Sequence, residues 1–350
     1  MKTNIVVGAG FSGAVIANLI ASIKNEKVLV IDRRTNVAGN HYDYRDKNGI
    51  MVQKFGSHVF HTSNEKVWNY LKHFTDFNQY MHKVTAVIDG QEVDVPFNLN
   101  TLHKLLPNSV STKIEEKLIE KFGYNKKVTL SELIRTEEPE LALLKEYLTK
   151  KLSLKEIYIG KDSRYYQDKY QGIPLDGYTA VVERMLMHPN IELRLGIDFR
   201  EVTAKFDRVF YTGAIDEYFN YELGQLPYKS AIFKLEEHER EFYQAGAVIE
   251  YPENYDFTRI HEYKHYLNDK SAKTIIAKEY LVNFEPNRTE RTYPAVTRES
   301  TKLYNKYLEK ANALSNVYFL GTLGDYKCYE LDETIARAIE VFENLDKKQS

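Results

Sequence analysis

Apolar residues in this chain follow two patterns, and their succession outlines a fold. Short β-branched runs occur at Ile5-Val6-Val7, Val28-Leu29-Val30-Ile31, Val209-Phe210-Tyr211 and Val317-Tyr318-Phe319-Leu320. Such runs read as strands of a parallel sheet buried on both faces. Helical spacing runs through Ala14 to Ile20, Asn64 to Phe74 (capped by Ser63 or Asn64), Gly177 to Met187, and Glu330 to Phe342. Ile50 to Phe55 and Glu192 to Leu195 read as further strands. Val84 to Val95 reads as a hairpin turning at Asp89-Gly90. From Thr101 to Lys151 the spacing is helical, and Leu141 to Leu152 closes that stretch. From Tyr228 to Tyr280 strands alternate: Ala231–Leu235, Ala247–Tyr251, Thr258–His265 and Lys273–Tyr280. They predict an antiparallel sheet.

The fold class is therefore α/β, with a nucleotide-type domain that the chain leaves and re-enters. Residues 1–78, 196–225 and 311–350 are expected to build that domain. Residues 79–98 and 226–310 are expected to form the sheet domain, 99–160 a helical insert, and 161–195 a sheet or linker part. No internal repeat or low-complexity tract interrupts the scheme.

The first strand runs directly into Gly8, Gly10 and Gly13, spaced G-x-G-x-x-G, with Ser12 between the last two. Asp32 ends the next strand, 19 residues past the third glycine. A tight turn, a backbone free of Cβ atoms and a helix N-terminus together suit a pyrophosphate. An acid at this spacing suits a ribose. The competing reading is a βαβ unit whose glycines serve packing alone. Arg33-Arg34 and Val37-Ala38-Gly39-Asn40 follow the acid and resemble the segment beside the adenosine and pyrophosphate in amine-oxidase-like FAD proteins. That points to FAD rather than NAD.

Composition narrows the partners. With 48 basic and 50 acidic residues the formal net charge is −2, so no bulk field draws the chain to nucleic acid or anionic membrane. Mean hydropathy is −0.50 and no apolar run reaches the length of a membrane span. The first strand begins at once, so no signal peptide is expected. The single cysteine, Cys328, excludes a disulfide framework and fits a reducing, cytoplasmic setting. A homodimer is left open. The 27 tyrosines suit a cleft for sugars or nucleotides, or half-buried packing. His58 and His61, three apart in Gly56-Ser57-His58-Val59-Phe60-His61-Thr62, lack a third ligand nearby. They read as a loop bonded to backbone, and no metal site is expected.

Several motifs then fall in one order: GAGFSGAV, KVLVIDRR with AGNHY, FGSHVFHT, VPFNLNT, YQGIPLDGYT, VFYTGAIDEYFNYELGQLPYKS, FTRIHEYKH and YFLGTLGDYKCYELDE. Over nearly its whole length the chain resembles the UDP-galactopyranose mutase family. The resemblance implies a discontinuous FAD-binding Rossmann-like domain, a helical insert and a six-stranded antiparallel sheet domain. It implies an isomerase in which reduced FAD, with NAD(P)H as reductant, attacks the anomeric carbon of a nucleotide-diphosphate sugar through N5. The sugar ring opens and closes again, exchanging pyranose and furanose and feeding surface polysaccharide synthesis.

Carried over by position, Arg259 and His58 are the implied catalytic residues. Arg259 clamps the diphosphate, and His58 with Val59 packs beside the flavin. Gly8, Gly10, Ser12, Gly13, Asp32, Arg33, Gly39, Asn40 and Gly321 are the implied cofactor residues. So are Leu331, Asp332 and Thr334, which open the last helix. His82, Phe97, Asn98, Tyr165, Tyr166, Tyr293 and Cys328 join Arg259 as the implied substrate residues.

The chain also departs from the family. Thr149 to Gly160 is short and lacks the stacking tryptophan and second arginine, for which Lys155, Lys161 or Arg164 are the available substitutes. Thr322, Cys328, His82 and Glu250 stand where the family has arginine, tyrosine, asparagine and asparagine. Two other readings stay open: an amine-oxidase-like FAD oxidoreductase, and a non-catalytic homologue that binds flavin or nucleotide sugar.

Overall fold

The first apolar run, Thr3–Val7, becomes the middle strand of a five-stranded, wholly parallel sheet. The computed structural model describes residues 3–151 and 156–345. The strand order is Ile191–Leu195, Lys27–Asp32, Thr3–Val7, Arg208–Tyr211, Val317–Phe319. Ile5 lies level with Leu29 and Val209, and all three runs are apolar because both sheet faces are covered. On one face pack the helices Phe11–Ile23, Gly177–Leu186 and Leu331–Glu343, around Ile16, Ile20, Val182 and Ile335. On the other, Ile5, Ile31, Val209 and Val317 meet Phe199, Phe206 and Tyr218.

One assignment is corrected here. The strand at 191–195, expected with the linker part, is an edge of the nucleotide sheet. Its alternating sequence, Ile191-Glu192-Leu193-Arg194-Leu195, marks a strand but not its partner.

The second sheet has seven strands rather than six: Tyr293–Pro294, Tyr228–His238, Thr274–Asn283, Arg259–Glu262, Val248–Glu250, Val84–Ile88 and Gln91–Val95. It is antiparallel except where Val248–Glu250 runs parallel to Val84–Ile88. The hairpin turns at Asp89 and Gly90, both at positive φ (49° and 76°), as a primed turn requires. Thr258 to His265, expected as one strand, stops at Glu262 and continues as a one-turn helix, Lys264–Leu267. Register fixes what the sheet presents: Ala86, Glu250, Arg259, Glu279 and Phe233 form one cross-strand row. The loop at Gly56 lies on this face, its α-carbon so close to the Phe233 ring that a Cβ would sit 2.7 Å from it.

The insert is helical as expected, but includes a strand pair, Lys126–Thr129 with Glu156–Ile159. The expected sheet region to residue 310 ends instead in a helix, Arg298–Asn312, capped by Thr297. Among the described residues no helix is long and apolar enough to cross a membrane.

Candidate functional site

The glycine turn is closed by contacts that admit no side chain. Gly8 ends the first strand at φ +110°, and Gly13 packs its α-carbon on the turn so tightly that a Cβ would lie 1.9 Å from the Gly8 carbonyl oxygen. Above this turn opens a cleft of about 590 Å³ lined by Gly8, Gly10, Ser12, Asp32, Arg33, Gly39, Asn40 and Thr334. Thr322 is also in its wall. Asp32 accepts from the Ala9 amide with one oxygen and from the Arg34 amide with the other, both at 2.8 Å. It therefore fixes the glycine loop against the next turn while facing the cleft. Arg34 bonds Asn40 at 3.1 Å and Glu290 at 2.6 Å; Arg33 pairs with Glu217 at 3.2 Å.

The other expected cofactor residues support this wall rather than line it. Gly321, at φ +84°, abuts Ser12, and Leu331 is buried. Asp332 accepts from the Thr62 hydroxyl at 2.8 Å, tying the last helix to the strand after the histidine loop. The donor set fits a dinucleotide. Helix Phe11–Ile23 begins in the cleft with backbone amides, Gly10 leaves an approach free of Cβ atoms, and an acid stands at the end of the second strand.

At one end of the cleft His41 packs against His58, the rings tilted by 38° with centroids 4.1 Å apart. His58 Nε2 lies 3.0 Å from the Asn40 carbonyl, an acceptor only, so this nitrogen carries the proton. Burial, more than any partner, takes His58 down to about 4; burial and then the charge of His58 lower His41. Both rings are neutral at neutral pH. Val59 is buried beside them.

Behind the histidine loop lies an aromatic wall. His61 stacks on Tyr166 at 3.5 Å and bonds Asp168 at 2.8 Å. Burial opposes its charge, but the Glu330 and Asp168 carboxylates outweigh burial and raise it. His82 is 5% exposed, among Tyr80, Tyr165, Tyr166 and Tyr266. Burial first, then the neighbouring His261, His61 and Arg259, bring it to about 3.

Next to this wall, Ser57 Oγ meets His261 Nδ1 at 2.8 Å, and His261 Nε2 meets Glu279 at 2.9 Å. Arg259 gives Nε and Nη2 to one oxygen of Glu250, each at 2.9 Å, and its Nη1 lies 3.8 Å from Glu279. Tyr293 is raised by burial and then by Glu279, which places its phenol in the same field. Cys328 is exposed, its sulfur 3.8 Å from the Pro294 carbonyl.

Two implied substrate residues do not present themselves to this region. Asn98 is fully buried and caps helix Leu99–Leu105 by accepting from the Asn100 and Thr101 amides; Phe97 lies in the core. Of the substitutes for the second arginine, Arg164 is committed to Asp162 at 2.6 Å and Lys161 lies 3.8 Å from Glu115. Lys155 lies outside the described residues. Among the described residues no group of three or more His, Cys, Asp or Glu side chains is placed for a metal. Sequence reasoning missed His41, Glu217 and Arg291 in the cleft. His41, directly after Gly39-Asn40, was the one with a local signal.

Two family profiles match the chain: one for UDP-galactopyranose mutase over residues 139–328, and one for an NAD(P)-binding Rossmann-like domain over residues 6–74. The chain is 33% identical to a dTDP-fucopyranose mutase of Escherichia coli over 97% of both chains. It is also 33% identical to a probable UDP-galactopyranose mutase of Klebsiella pneumoniae, over 97% of this chain and 93% of that one. A crystal structure of reduced UDP-galactopyranose mutase has the same fold: TM-score 0.71, covering 99% of this chain and 94% of that chain, at 13% identity.

Proposed function

The chain belongs to the UDP-galactopyranose mutase family of isomerases, and on that premise we propose that it exchanges the pyranose and furanose forms of a nucleotide-diphosphate sugar with reduced FAD as cofactor. The observation that carries the proposal is a continuous path of contacts. It runs from the dinucleotide cleft through His41 and His58 to Ser57, His261, Glu279 and Arg259. On this reading a dinucleotide cradle and a guanidinium for a diphosphate are linked through the histidine loop.

The glycine turn, Asp32 and Thr334 would hold the dinucleotide, with Arg33 and Asn40 at its edge. The chemistry a reduced flavin supplies at such a site is nucleophilic displacement of the diphosphate at the anomeric carbon. The chain's own residues do the rest. His58, neutral and proton-bearing at Nε2, holds the Asn40 turn in place. Arg259 neutralises the departing diphosphate. Tyr165 and Tyr293, both raised in pKa by burial, keep their hydroxyl protons and can donate to phosphate oxygens. The packed rings of Tyr80, His82 and Tyr266 keep water from one side. NAD(P)H as reductant, a cytoplasmic setting and a furanose donor for surface polysaccharide complete the reading.

Arg259→Ala should keep the flavin. It should lose about 10- to 150-fold in nucleotide-diphosphate affinity, the worth of a charge-assisted contact of about 1.5–3 kcal/mol. Calorimetric titration checks this; unchanged affinity in a folded, yellow variant removes Arg259 from the site.

The sugar is proposed to be a 6-deoxy or N-acetylated hexose on UDP or dTDP, because Thr322, Cys328 and Glu250 depart from the residues that the family resemblance implies for the sugar pocket. Relatives named for a dTDP-fucose and for a UDP-galactose enzyme are equally similar to this chain. In a panel of UDP-, dTDP- and GDP-sugars, read by chromatography, UDP-galactopyranose should turn over more slowly than at least one other. UDP-galactopyranose as the best substrate would refute the assignment.

A further inference from the structure

We propose that Glu250 is a specificity-determining counter-ion. It holds the Arg259 guanidinium until a diphosphate displaces it, and so sets how much negative charge a ligand must bring. The inference rests on the reading that Arg259 meets the diphosphate.

Glu250 and Arg259 are directly opposite across paired strands, so their side chains leave the sheet on the same face. One Glu250 oxygen takes both bonds from the guanidinium. The two carboxylates beside Arg259 are not equivalent. Glu279 has an 8% exposed side chain and is held from behind by His261. Glu250 is 23% exposed, stands at the end of its three-residue strand, and can turn toward solvent. The Arg259 side chain as a whole is 42% exposed.

With Arg259 between two carboxylates, its single positive charge is already met by two negative ones before any ligand arrives. An incoming phosphate therefore meets an opposing charge that it must outcompete. A diphosphate can do so by bridging the guanidinium with two or more anionic oxygens, whereas a weakly charged ligand cannot. Glu250 would then act on substrate binding and leave the displacement step alone.

Glu250→Gln preserves shape and an acceptor oxygen for Arg259 while removing the opposing charge. Calorimetric titration of the FAD-loaded protein with dTDP and UDP should show binding tighter by on the order of tenfold. The gain should shrink at high salt, KM should fall and kcat should hold. Glu250→Ala should shift affinity the same way, which guards against a local defect of the glutamine. If wild type binds these nucleotides and neither variant binds more tightly, the counter-ion role is overturned and the Arg259 reading stands. If wild type binds neither nucleotide, or Arg259→Ala binds as well as wild type, both are overturned.

Discussion

Gly13→Ala is expected to abolish flavin retention, although it adds a single methyl group. That methyl would sit 1.9 Å from the Gly8 carbonyl oxygen, and 3.0 Å from both the Gly8 carbonyl carbon and a Val6 methyl. Two of these neighbours are backbone of the turn that frames the cleft, and the third is core, so none can rotate away. The helix must retreat from the sheet, moving its N-terminal amides out of line with the turn. Overpacking of this kind costs about 1–3 kcal/mol where side chains can adjust, and backbone contact places this site at or above the upper end. Gly246→Ala is the matched control, since nothing lies within 4 Å of a Cβ there. Absorbance of purified protein near the flavin band decides the matter: a yellow Gly13→Ala protein with a full complement of cofactor contradicts the account.

The second large effect is loss of stability in mild acid. His82 is brought to about 3, by burial and then by His261, His61 and Arg259; His58 is brought to about 4, chiefly by burial. An imidazole depressed in this way binds fewer protons folded than unfolded. Its contribution is whole above the unfolded value of 6.5 and is lost as the pH falls toward 4 for His58 and 3 for His82. Between neutrality and about pH 5 each ring should take away about 2 kcal/mol. His61 runs the other way. Burial lowers it but the Glu330 and Asp168 carboxylates raise it further, so its contribution is complete below the unfolded value and fades only as the pH rises. On acidification it therefore gains, and offsets part of the loss at His58 and His82. Denaturant midpoints at about pH 7.5 and about pH 5 measure the effect. His82→Asn should shrink the difference by about 2 kcal/mol. Equal midpoints for the unmodified protein at the two pH values would contradict the assignment.

What could be read in the sequence was local. The runs Ile5-Val6-Val7 and Val28-Leu29-Val30-Ile31 declare a sheet buried on both sides, and Asp89-Gly90 declares its hairpin. What could not be read was which distant segments meet. Ile191–Leu195 pairs with Lys27–Asp32, about 160 residues earlier in the chain, and only its end residues Ile191 and Leu195 pack on the shared core. Helix Arg298–Asn312 hides because its buried stripe is narrow and partly tyrosine. In the site, Arg259 stood out in its motif. Its two carboxylates emerge only from cross-strand register, because Glu250 and Glu279 are polar residues in unremarkable strands until Arg259 faces them. Asn98 shows the converse. It looked like a cleft residue, yet Asn98 before Leu99 is a helix cap, a local signal that explains its burial without a ligand.

The central claim is isomerisation without net redox change, and the most direct measurement follows both at once. FAD-loaded protein, reduced with dithionite under exclusion of oxygen, is incubated with UDP- and dTDP-hexopyranoses while furanose formation and reductant consumption are recorded. The account predicts pyranose and furanose approaching equilibrium from either side, no stoichiometric loss of reductant, and no turnover by strictly oxidised protein. Equal turnover by strictly oxidised protein, or reduction of the sugar matched by stoichiometric loss of reductant with no furanose formed, would contradict it.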